Sequence, residues 1–212
     1  MQKFNHVILD RDGVLNQEAP SGFVETPDQW IWLPDVLDAL SALAEADICL
    51  SIATNQSCVG RGIIDALTLD RIHNKMKRDA AQRGIQFAGI YCCPHTPDAG
   101  CLCRKPMPGL LERAIRKCGF PPKETVFIGD AESDLQSGRS AGITSWLVRT
   151  GKGMDTEAAL KKGLIKNLAP KEIMVFNNLN DACVAILSDK FDGFVKSPNS
   201  LLRCILRFFK VR

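Results

Sequence analysis

Aspartate residues end two apolar runs of the sequence. Three apolar residues lead into Asp10, and Asp12 follows two positions later, just before a glycine. Another apolar run leads into Asp130, with Asp134 one helical turn beyond. Burying a carboxylate is costly unless a partner or a cation compensates its charge. Each pair therefore either caps a turn or binds a cation and takes part in chemistry.

Two further motifs carry groups that bind phosphate. ATNQS ends an apolar run with the hydroxyl of Thr54 and the amide of Asn55, which are suited to hydrogen-bonding phosphate oxygens. Lys105 lies between Arg104 and a proline that stiffens the backbone. Mg²⁺ takes few carboxylates and keeps water and phosphate oxygens as its other ligands. Carboxylates, a hydroxyl and a lysine together therefore predict a Mg²⁺ and phosphate site.

A cysteine-rich segment precedes this lysine. Three thiols and one imidazole form a closed tetrahedral set for a structural zinc ion, namely Cys93, His95, Cys101 and Cys103. Cys92 competes with Cys93, which we favour because a proline and a histidine follow it as in a C-P-H motif. Since Cys103 directly precedes Arg104, the zinc is expected to fix the loop that presents the basic residues. A redox-sensitive thiol cluster without metal is the alternative.

Short β-rich runs alternate with helical patterns along the chain. Strands are predicted at 6–10, 48–54, 85–91, 125–129 and 144–148, and helices at 34–47, 66–83, 108–119 and 132–140. Such alternation predicts an α/β fold, a Rossmann-like doubly wound parallel sheet with helices on both faces. Ligands of such sheets bind beyond the carboxyl ends of the strands, where the aspartates and Thr54 are expected.

Length and composition are those of one globular domain. The chain has 212 residues, of which 45% are hydrophobic and 24% charged. Its net charge of +3 gives no argument for nucleic-acid binding. The apolar run after Lys3 is too short for a signal peptide, and no run reaches the ~18 residues of a membrane span. We therefore expect a cytoplasmic protein without a transmembrane segment, as a monomer or homodimer.

The remaining cysteines and the C-terminus have plainer interpretations. Five scattered cysteines are interpreted as small buried hydrophobes, because disulfide frameworks belong to small secreted chains: Cys49, Cys58, Cys118, Cys183 and Cys204. The domain is expected over 1–187, followed by a basic amphipathic extension over 188–212. Such a segment can lie on an anionic membrane. A terminal helix packed on its own domain or on a second subunit is the favoured interpretation.

The motifs, in this order, resemble the haloacid dehalogenase-like phosphatases. Within them, LDRDGVLN, TNQS, the cysteine and histidine cluster, CRKPMPG, GDAESD and LVRTGK are similar to the D-glycero-D-manno-heptose 1,7-bisphosphate 7-phosphatases and the related histidinol phosphatases. The resemblance runs from Val7 to Lys152, and more faintly to Leu187. It implies a small zinc loop and no large cap domain. It also implies Mg²⁺-dependent removal of the 7-phosphate from a small phosphorylated sugar, in supply of surface polysaccharide precursors.

Two alternatives to that function stay open. One is a histidinol-phosphate or other small-molecule phosphatase, and the other is a catalytically idle zinc-containing binding module. The complete set of Asp10, Asp12, Lys105 and Asp130 argues against the idle module.

The resemblance also implies roles for individual residues. Asp10 is the nucleophile that forms an aspartyl phosphate, and Asp12 is the general acid and afterwards the base that activates water. Mg²⁺ is held by Asp10, the backbone carbonyl of Asp12, and Asp130. Thr54 and Lys105 bind the transferring group.

Substrate contacts are expected from a further set, Ser21, Gly22, Asn55, Gln56, Ser57 and Arg104. The sequence departs from the resemblance at two places. Ala131 stands where these heptose phosphatases carry a lysine, and the loop after Asn16 is longer. Both differences lie where a sugar is selected and not where phosphate is cleaved.

Overall fold

A single six-stranded sheet forms the centre of the computed structural model, which describes residues 3–191. Its strands are β1 (His6–Leu9), β2 (Cys49–Asn55), β3 (Phe87–Cys93), β4 (Thr125–Gly129), β5 (Thr144–Val148) and β6 (Met174–Phe176). The order is β3-β2-β1-β4-β5-β6, and every neighbouring pair is parallel. The chain thus winds outward from β1 in both directions, which confirms the predicted doubly wound sheet.

Seven α-helices accompany the sheet in the described part of the chain. They are α1 (Val36–Glu45), α2 (Ser57–Gly60), α3 (Ala66–Ala81), α4 (Gly109–Cys118), α5 (Glu132–Ser140), α6 (Gly153–Lys161) and α7 (Leu179–Phe191). The five predicted strands and four predicted helices are all present, with bounds shifted by one or two residues. The prediction missed α2, α6, β6 and α7.

The core explains why three successive residues of β1, Val7 to Leu9, are apolar. Val7 and Leu9 pack into one hydrophobic cluster with Leu40, whereas Ile8 packs into a second cluster with Leu110. Successive side chains of a strand point to opposite faces, so both faces of β1 are covered. A strand buried on both faces has no polar alternation, which is typical of parallel sheets.

Helix α3 shows how local sequence places an element. The carboxylate of Asp65 accepts a hydrogen bond of 2.7 Å from the backbone N–H of Thr68, so it caps the helix. The predicted apolar face, which includes Leu69, Ile72 and Met76, is buried. Capping and periodicity therefore agree on where α3 begins and which side it buries.

One prediction about cysteines is wrong. Cys49, at the start of β2, and Cys118, at the end of α4, form a disulfide bond and are not independent buried hydrophobes. The packing of α4 on β2 brings together residues that are 69 positions apart, and no local spacing signals such a pair. Cys58 and Cys183 are buried as predicted, and Cys204 lies outside the described residues.

Helix α7 continues to Phe191, past the predicted domain boundary at 187. From residue 192 onward, the predicted basic extension lies outside the described residues, so its packing stays a prediction. Within the described part, no helix is both long and apolar enough to span a membrane.

Candidate active site

The carboxyl ends of β1, β2 and β4 meet at one edge of the sheet. Leu9 pairs with Ile52 on one side and Ile128 on the other, so the residues that follow each strand emerge together. A cavity of about 300 Å³ opens there. Nine predicted site residues line it, namely Asp10, Asp12, Gly22, Thr54, Asn55, Ser57, Arg104, Lys105 and Asp130.

Lys105 is the buried cation of this site. Its Nζ lies 2.8 Å from Asp10 Oδ1 and 2.7 Å from Asp134 Oδ1, and it donates to the carbonyl of Ala53 at 3.0 Å. Three partners occupy the three N–H donors of the ammonium. Burial acts to lower the pKa of Lys105, but the two carboxylates outweigh it and raise the pKa. The lysine is therefore charged and fixed in direction.

The carboxylates outnumber their cation. Burial raises the pKa of Asp10 to about 7 despite the neighbouring Lys105. Burial, together with Asp10 and Asp134, raises the pKa of Asp130 to about 8. Oxygens of Asp10, Asp130 and Asp134 lie within 4.8 Å of one another. Because one lysine cannot compensate three carboxylates, the donor set fits a divalent cation with oxygen ligands.

Asp134 also holds the turn between β4 and α5. Its Oδ2 accepts hydrogen bonds from the backbone N–H groups of Asp130 at 3.1 Å and Ala131 at 3.0 Å. Any side chain at Gly129 would collide with Asp134, which explains the glycine at the end of the strand. The last carboxylate of the GDAESD motif is therefore the residue that orients Asp130 and Lys105.

Asp12 is surrounded by donors. Its Oδ1 accepts from Arg11 Nη2 at 2.8 Å and Asn16 Nδ2 at 2.9 Å, and its Oδ2 accepts from Gln56 Nε2 at 2.6 Å. Although burial acts to raise it, the pKa of Asp12 is lowered by the Arg11 guanidinium and these hydrogen bonds. In the free site Asp12 is therefore an ionised carboxylate, ready to accept a proton.

Two predicted substrate residues lie away from the cavity. The buried Gln56 donates to both Asp12 and Thr54 Oγ1, so it sits behind the pocket and orients its polar lining. Ser21 is exposed, and its hydroxyl donates to the carbonyl of Phe23 at 3.0 Å. Neither residue belongs to the cavity lining.

Sequence reasoning missed several residues of the site. Arg11 has a fully buried side chain and pairs with Asp12, and a basic residue between two aspartates was the available signal. Glu18, Ser133 and Lys152 line the cavity. Lys152 lies in the LVRTGK motif, to which no chemical role was given.

The cysteine cluster converges as predicted. Cys93 Sγ lies 3.6 Å from Cys101 Sγ and 3.3 Å from Cys103 Sγ, and His95 Nδ1 lies 3.3 Å from Cys103 Sγ. These four donor atoms all fall within 4.8 Å of one another. Cys92 points to the other face of β3 and packs against the main core, so Cys93 is the cysteine of this pair that joins the cluster.

The cluster and β2 together fix the loop that carries the basic residues. Arg104 Nη1 donates to the carbonyl of His95 at 3.1 Å. The amide of Asn55 donates to the Lys105 carbonyl at 3.1 Å and accepts from the Lys105 N–H at the same distance. Asn55 therefore clamps the Lys105 backbone to the end of β2.

Comparison with known proteins gives the site its context. The model of the HAD-hydrolase-like family matches residues 102–182. The D-glycero-beta-D-manno-heptose-1,7-bisphosphate 7-phosphatase of Bordetella bronchiseptica is 46% identical over 152 residues, which cover 72% of this chain and 84% of that protein. The enzyme of the same name from Pseudomonas putida is 35% identical over 173 residues, covering 82% of this chain and 94% of its own.

Solved structures agree with these relatives. The crystal structure of the B. bronchiseptica D,D-heptose 1,7-bisphosphate phosphatase, complexed with magnesium and phosphate, matches with a TM-score of 0.79 and 40% identity, covering 88% of this chain and 99% of that one. The enzyme from Burkholderia thailandensis matches with a TM-score of 0.65 and 32% identity, over 87% and 99% of the two chains. The chain therefore belongs to the family of haloacid dehalogenase-like phosphoric monoester hydrolases that these heptose bisphosphate phosphatases represent.

Proposed function

We propose that the protein hydrolyses the 7-phosphate of D-glycero-D-manno-heptose 1,7-bisphosphate in a Mg²⁺-dependent reaction. The observation that carries this proposal is the cluster of Asp10, Asp130 and Asp134 around Lys105 at the cavity. That cluster combines a nucleophile, an excess of carboxylates for a cation and a fixed ammonium whose positive charge attracts a phosphate. The substrate is inferred from the named relatives, which include an enzyme 46% identical to this chain.

Three groups would hold the cation, namely the carboxylates of Asp10 and Asp130 and the backbone carbonyl of Asp12. The pKa values of Asp10 and Asp130 are raised because burial and neighbouring carboxylates disfavour their negative charge. The protein alone therefore does not compensate this charge. When bound, Mg²⁺ neutralises phosphoryl oxygens and reduces their repulsion from the nucleophile. The magnesium and phosphate in the B. bronchiseptica crystal structure support the same assignment.

The residues divide the reaction into two displacements. Asp10 Oδ attacks phosphorus in line, the bond from phosphorus to the sugar oxygen breaks, and the leaving oxygen takes a proton from Asp12. Water then attacks the aspartyl phosphate, Asp12 takes a proton from that water, and inorganic phosphate leaves Asp10. The ionised Asp12 of the free site suits the second displacement. For the first, the negative charge of a bound phosphate raises the pKa of Asp12 and favours its protonated form.

The cluster of Cys93, His95, Cys101 and Cys103 is proposed to hold a structural Zn²⁺. Three thiolates and an imidazole leave no open position, so the ion would contribute rigidity and not a reactive water. Although burial opposes it, the pKa of Cys101 is lowered to about 6 by hydrogen bonds from the backbone N–H of Arg104 and from the thiol and backbone N–H of Cys103, which supports thiolate formation. The metal would then fix the loop that ends in Lys105.

We further infer a cytoplasmic role in supplying heptose precursors of a surface polysaccharide. A compartment that keeps thiols reduced suits a cluster of three zinc-binding cysteines, and the Cys49–Cys118 disulfide would be reduced to two thiols there. The proposal thus links location to the zinc cluster and function to the carboxylate cluster.

Phosphate release from a panel of substrates tests the proposed function. The panel contains heptose 1,7-bisphosphate and histidinol phosphate, and the reactions contain either Mg²⁺ or a magnesium chelator. Phosphorus NMR identifies which phosphate leaves. We expect release from the 7-position, dependent on Mg²⁺ and absent in Asp10→Asn. Faster release from histidinol phosphate would show that histidinol phosphate is the preferred substrate. No release from any substrate by folded, Mg²⁺-loaded protein would overturn the proposal that the protein is a phosphatase.

A further inference from the structure

Lys152 differs from the other two cations that line the cavity. Lys105 is buried and holds three partners, and Arg104 donates to a backbone carbonyl of the zinc loop. The side chain of Lys152 is 65% exposed, and its Nζ forms an ion pair of 3.1 Å with Glu18 Oε1. Since the side chain of Lys105 is only 2% exposed, Lys152 stands at the mouth of the cavity and Lys105 at its floor.

The backbone of Lys152 is fixed close to the reaction centre. Its N–H donates to Asp130 Oδ2 at 2.8 Å. A side chain at Gly151 would collide with Asp130 and Gly13, and a side chain at Gly153 would collide with the carbonyl of Val148. The two flanking glycines therefore allow a close approach of this segment to the end of the sheet. The backbone of Lys152 is thus held next to Asp130, whereas its side chain is largely exposed.

Glu18 and Lys152 face each other across the mouth. Glu18 belongs to the loop after Asn16, whereas Lys152 precedes α6, and both side chains line the cavity. A lysine ammonium is charged at neutral pH, so Lys152 is a cation when an anion arrives. An exposed ion pair is weak, so a doubly charged phosphate can replace the carboxylate of Glu18.

We propose that Lys152 binds the second phosphate of the substrate, the one that is not cleaved, and that Glu18 is its counter-ion in the free enzyme. This inference rests on the proposed function, because it assumes a substrate with two phosphates. The floor of the cavity binds the transferring phosphate, and the mouth selects substrates that carry another one. The Glu18–Lys152 pair therefore sets the preference for a bisphosphate over a monophosphate.

The test compares two sugars with the same scissile group. D-glycero-D-manno-heptose 1,7-bisphosphate carries both phosphates, and D-glycero-D-manno-heptose 7-phosphate carries only the one to be cleaved. The readout is the ratio of kcat/KM for the bisphosphate to kcat/KM for the monophosphate. We expect Lys152→Met to lower this ratio at least about fivefold, mainly through KM for the bisphosphate, and Lys152→Arg to restore most of it. Glu18→Gln should raise the ratio, because it removes the competing carboxylate.

Lys161→Met is the matched control. Lys161 is the last residue of α6, the helix that follows Lys152; its side chain is 68% exposed and pairs with Glu157 at 2.7 Å, but it does not line the cavity. Its replacement should leave the ratio unchanged. An equal loss on both sugars in Lys152→Met, or no loss on either, would overturn the role of Lys152 while the proposed function stands. If the native protein hydrolyses no bisphosphate, the proposed function itself fails.

Discussion

The same three strands carry polar residues at both ends, and the two ends behave differently. At the amino end, the buried His6 Nε2 lies 3.0 Å from Ser51 Oγ, and Thr125 Oγ1 donates to the carbonyl of Pro121 at 3.2 Å. Burial lowers the pKa of His6 to about 4, so this buried imidazole is neutral near pH 7. At the carboxyl end, Lys105 faces several carboxylates in an open cavity.

The difference distinguishes polar groups that stabilise the fold from polar groups that take part in function. Neutral groups that satisfy one another at the amino end need no ligand. At the carboxyl end, Asp10 and Asp130 have raised pKa values because burial and mutual repulsion disfavour their charge. A buried excess of negative charge next to a cavity is stabilised when a cation binds. Groups with pKa values perturbed in this way are typical of catalytic sites. The amino end therefore supports the fold, and the carboxyl end performs the chemistry.

The largest expected effect is on catalytic activity, and it distinguishes the carboxyl end of the sheet from the amino end. Asp10→Asn should lower kcat/KM by more than about 1,000-fold, because the amide cannot attack phosphorus. His6→Gln, at the other end of the same strand, should change kcat/KM by less than about threefold. Steady-state phosphate release with Mg²⁺ measures both variants. Similar losses in the two variants would show that the ends are coupled through β1 and would remove the distinction.

Lys105→Met sharpens the comparison because it affects stability as well as activity. The change leaves Asp10 and Asp134 buried without their cation, which should cost about 3 kcal/mol in the free energy of unfolding. Activity should fall about 100-fold or more, since the transferring phosphate loses a fixed ammonium. Ser51→Ala, the matched change at the amino end, should cost about 1 kcal/mol and leave activity near that of the native protein. Urea denaturation without added Mg²⁺ and phosphate release give the two quantities.

The cluster of Cys93, His95, Cys101 and Cys103, which is proposed to bind zinc, should affect the carboxyl end indirectly. Cys103→Ser is expected to lower zinc content and to reduce kcat/KM about tenfold, because the loop that aims Arg104 and Lys105 loosens. Cys92→Ser is the matched control, since Cys92 adjoins the cluster in sequence but packs on the other face of β3. Metal analysis and kinetics check both variants. Full zinc loss with unchanged kinetics would show that the cluster stabilises the chain without positioning the site.

The smallest effect is an opposite pH dependence of stability at the two ends. The folded-state pKa of His6 is lowered from 6.5 to about 4, so the unfolded state binds more protons in that window. Its contribution to stability is complete above 6.5 and is lost as the pH falls toward 4. The folded-state pKa of Asp10 is raised from 3.8 to about 7, so in Mg²⁺-free protein its contribution is lost as the pH rises through that window.

Two variants separate these contributions. His6→Gln should reduce the loss of stability on acidification, and Asp10→Asn should reduce the loss on the alkaline side. Urea denaturation of Mg²⁺-free protein across the pH range measures both slopes, each worth at most about 1.4 kcal/mol per pH unit. Because His73 also has a pKa lowered to about 3 by burial and by Arg11, the comparison is between variant and native slopes. A native slope that neither variant changes would contradict the assigned pKa shifts.

Much of the fold was predictable because its signals are local. The apolar runs of β1 and β4 and the capped periodicity of α3 locate those elements directly. Two misses have physical reasons. β6 is a three-residue strand, too short for a pattern, and α6 begins at a glycine that is needed for close approach and not for helix formation.

The site residues likewise fall into those that the sequence predicted and those that it did not. Asp10, Asp130 and the cysteine cluster were predicted because several motifs of suitable residue types occur together along the chain, and their roles followed from the family resemblance. Arg11, Glu18 and Lys152 were missed because their roles come from contacts between distant segments, such as the pair that joins the loop after Asn16 to the start of α6. The disulfide between Cys49 and Cys118 was missed for the same reason.

Covalent transfer to Asp10 is the central claim, and one measurement tests it directly. Asp12→Asn with p-nitrophenyl phosphate separates the two displacements, because this leaving group needs no acid whereas breakdown of the intermediate needs the base. The account predicts a burst of p-nitrophenol stoichiometric with enzyme and, after acid quenching, a phosphoryl group on Asp10 by peptide mass spectrometry. Turnover without a burst, with Asp10 unmodified, would contradict it.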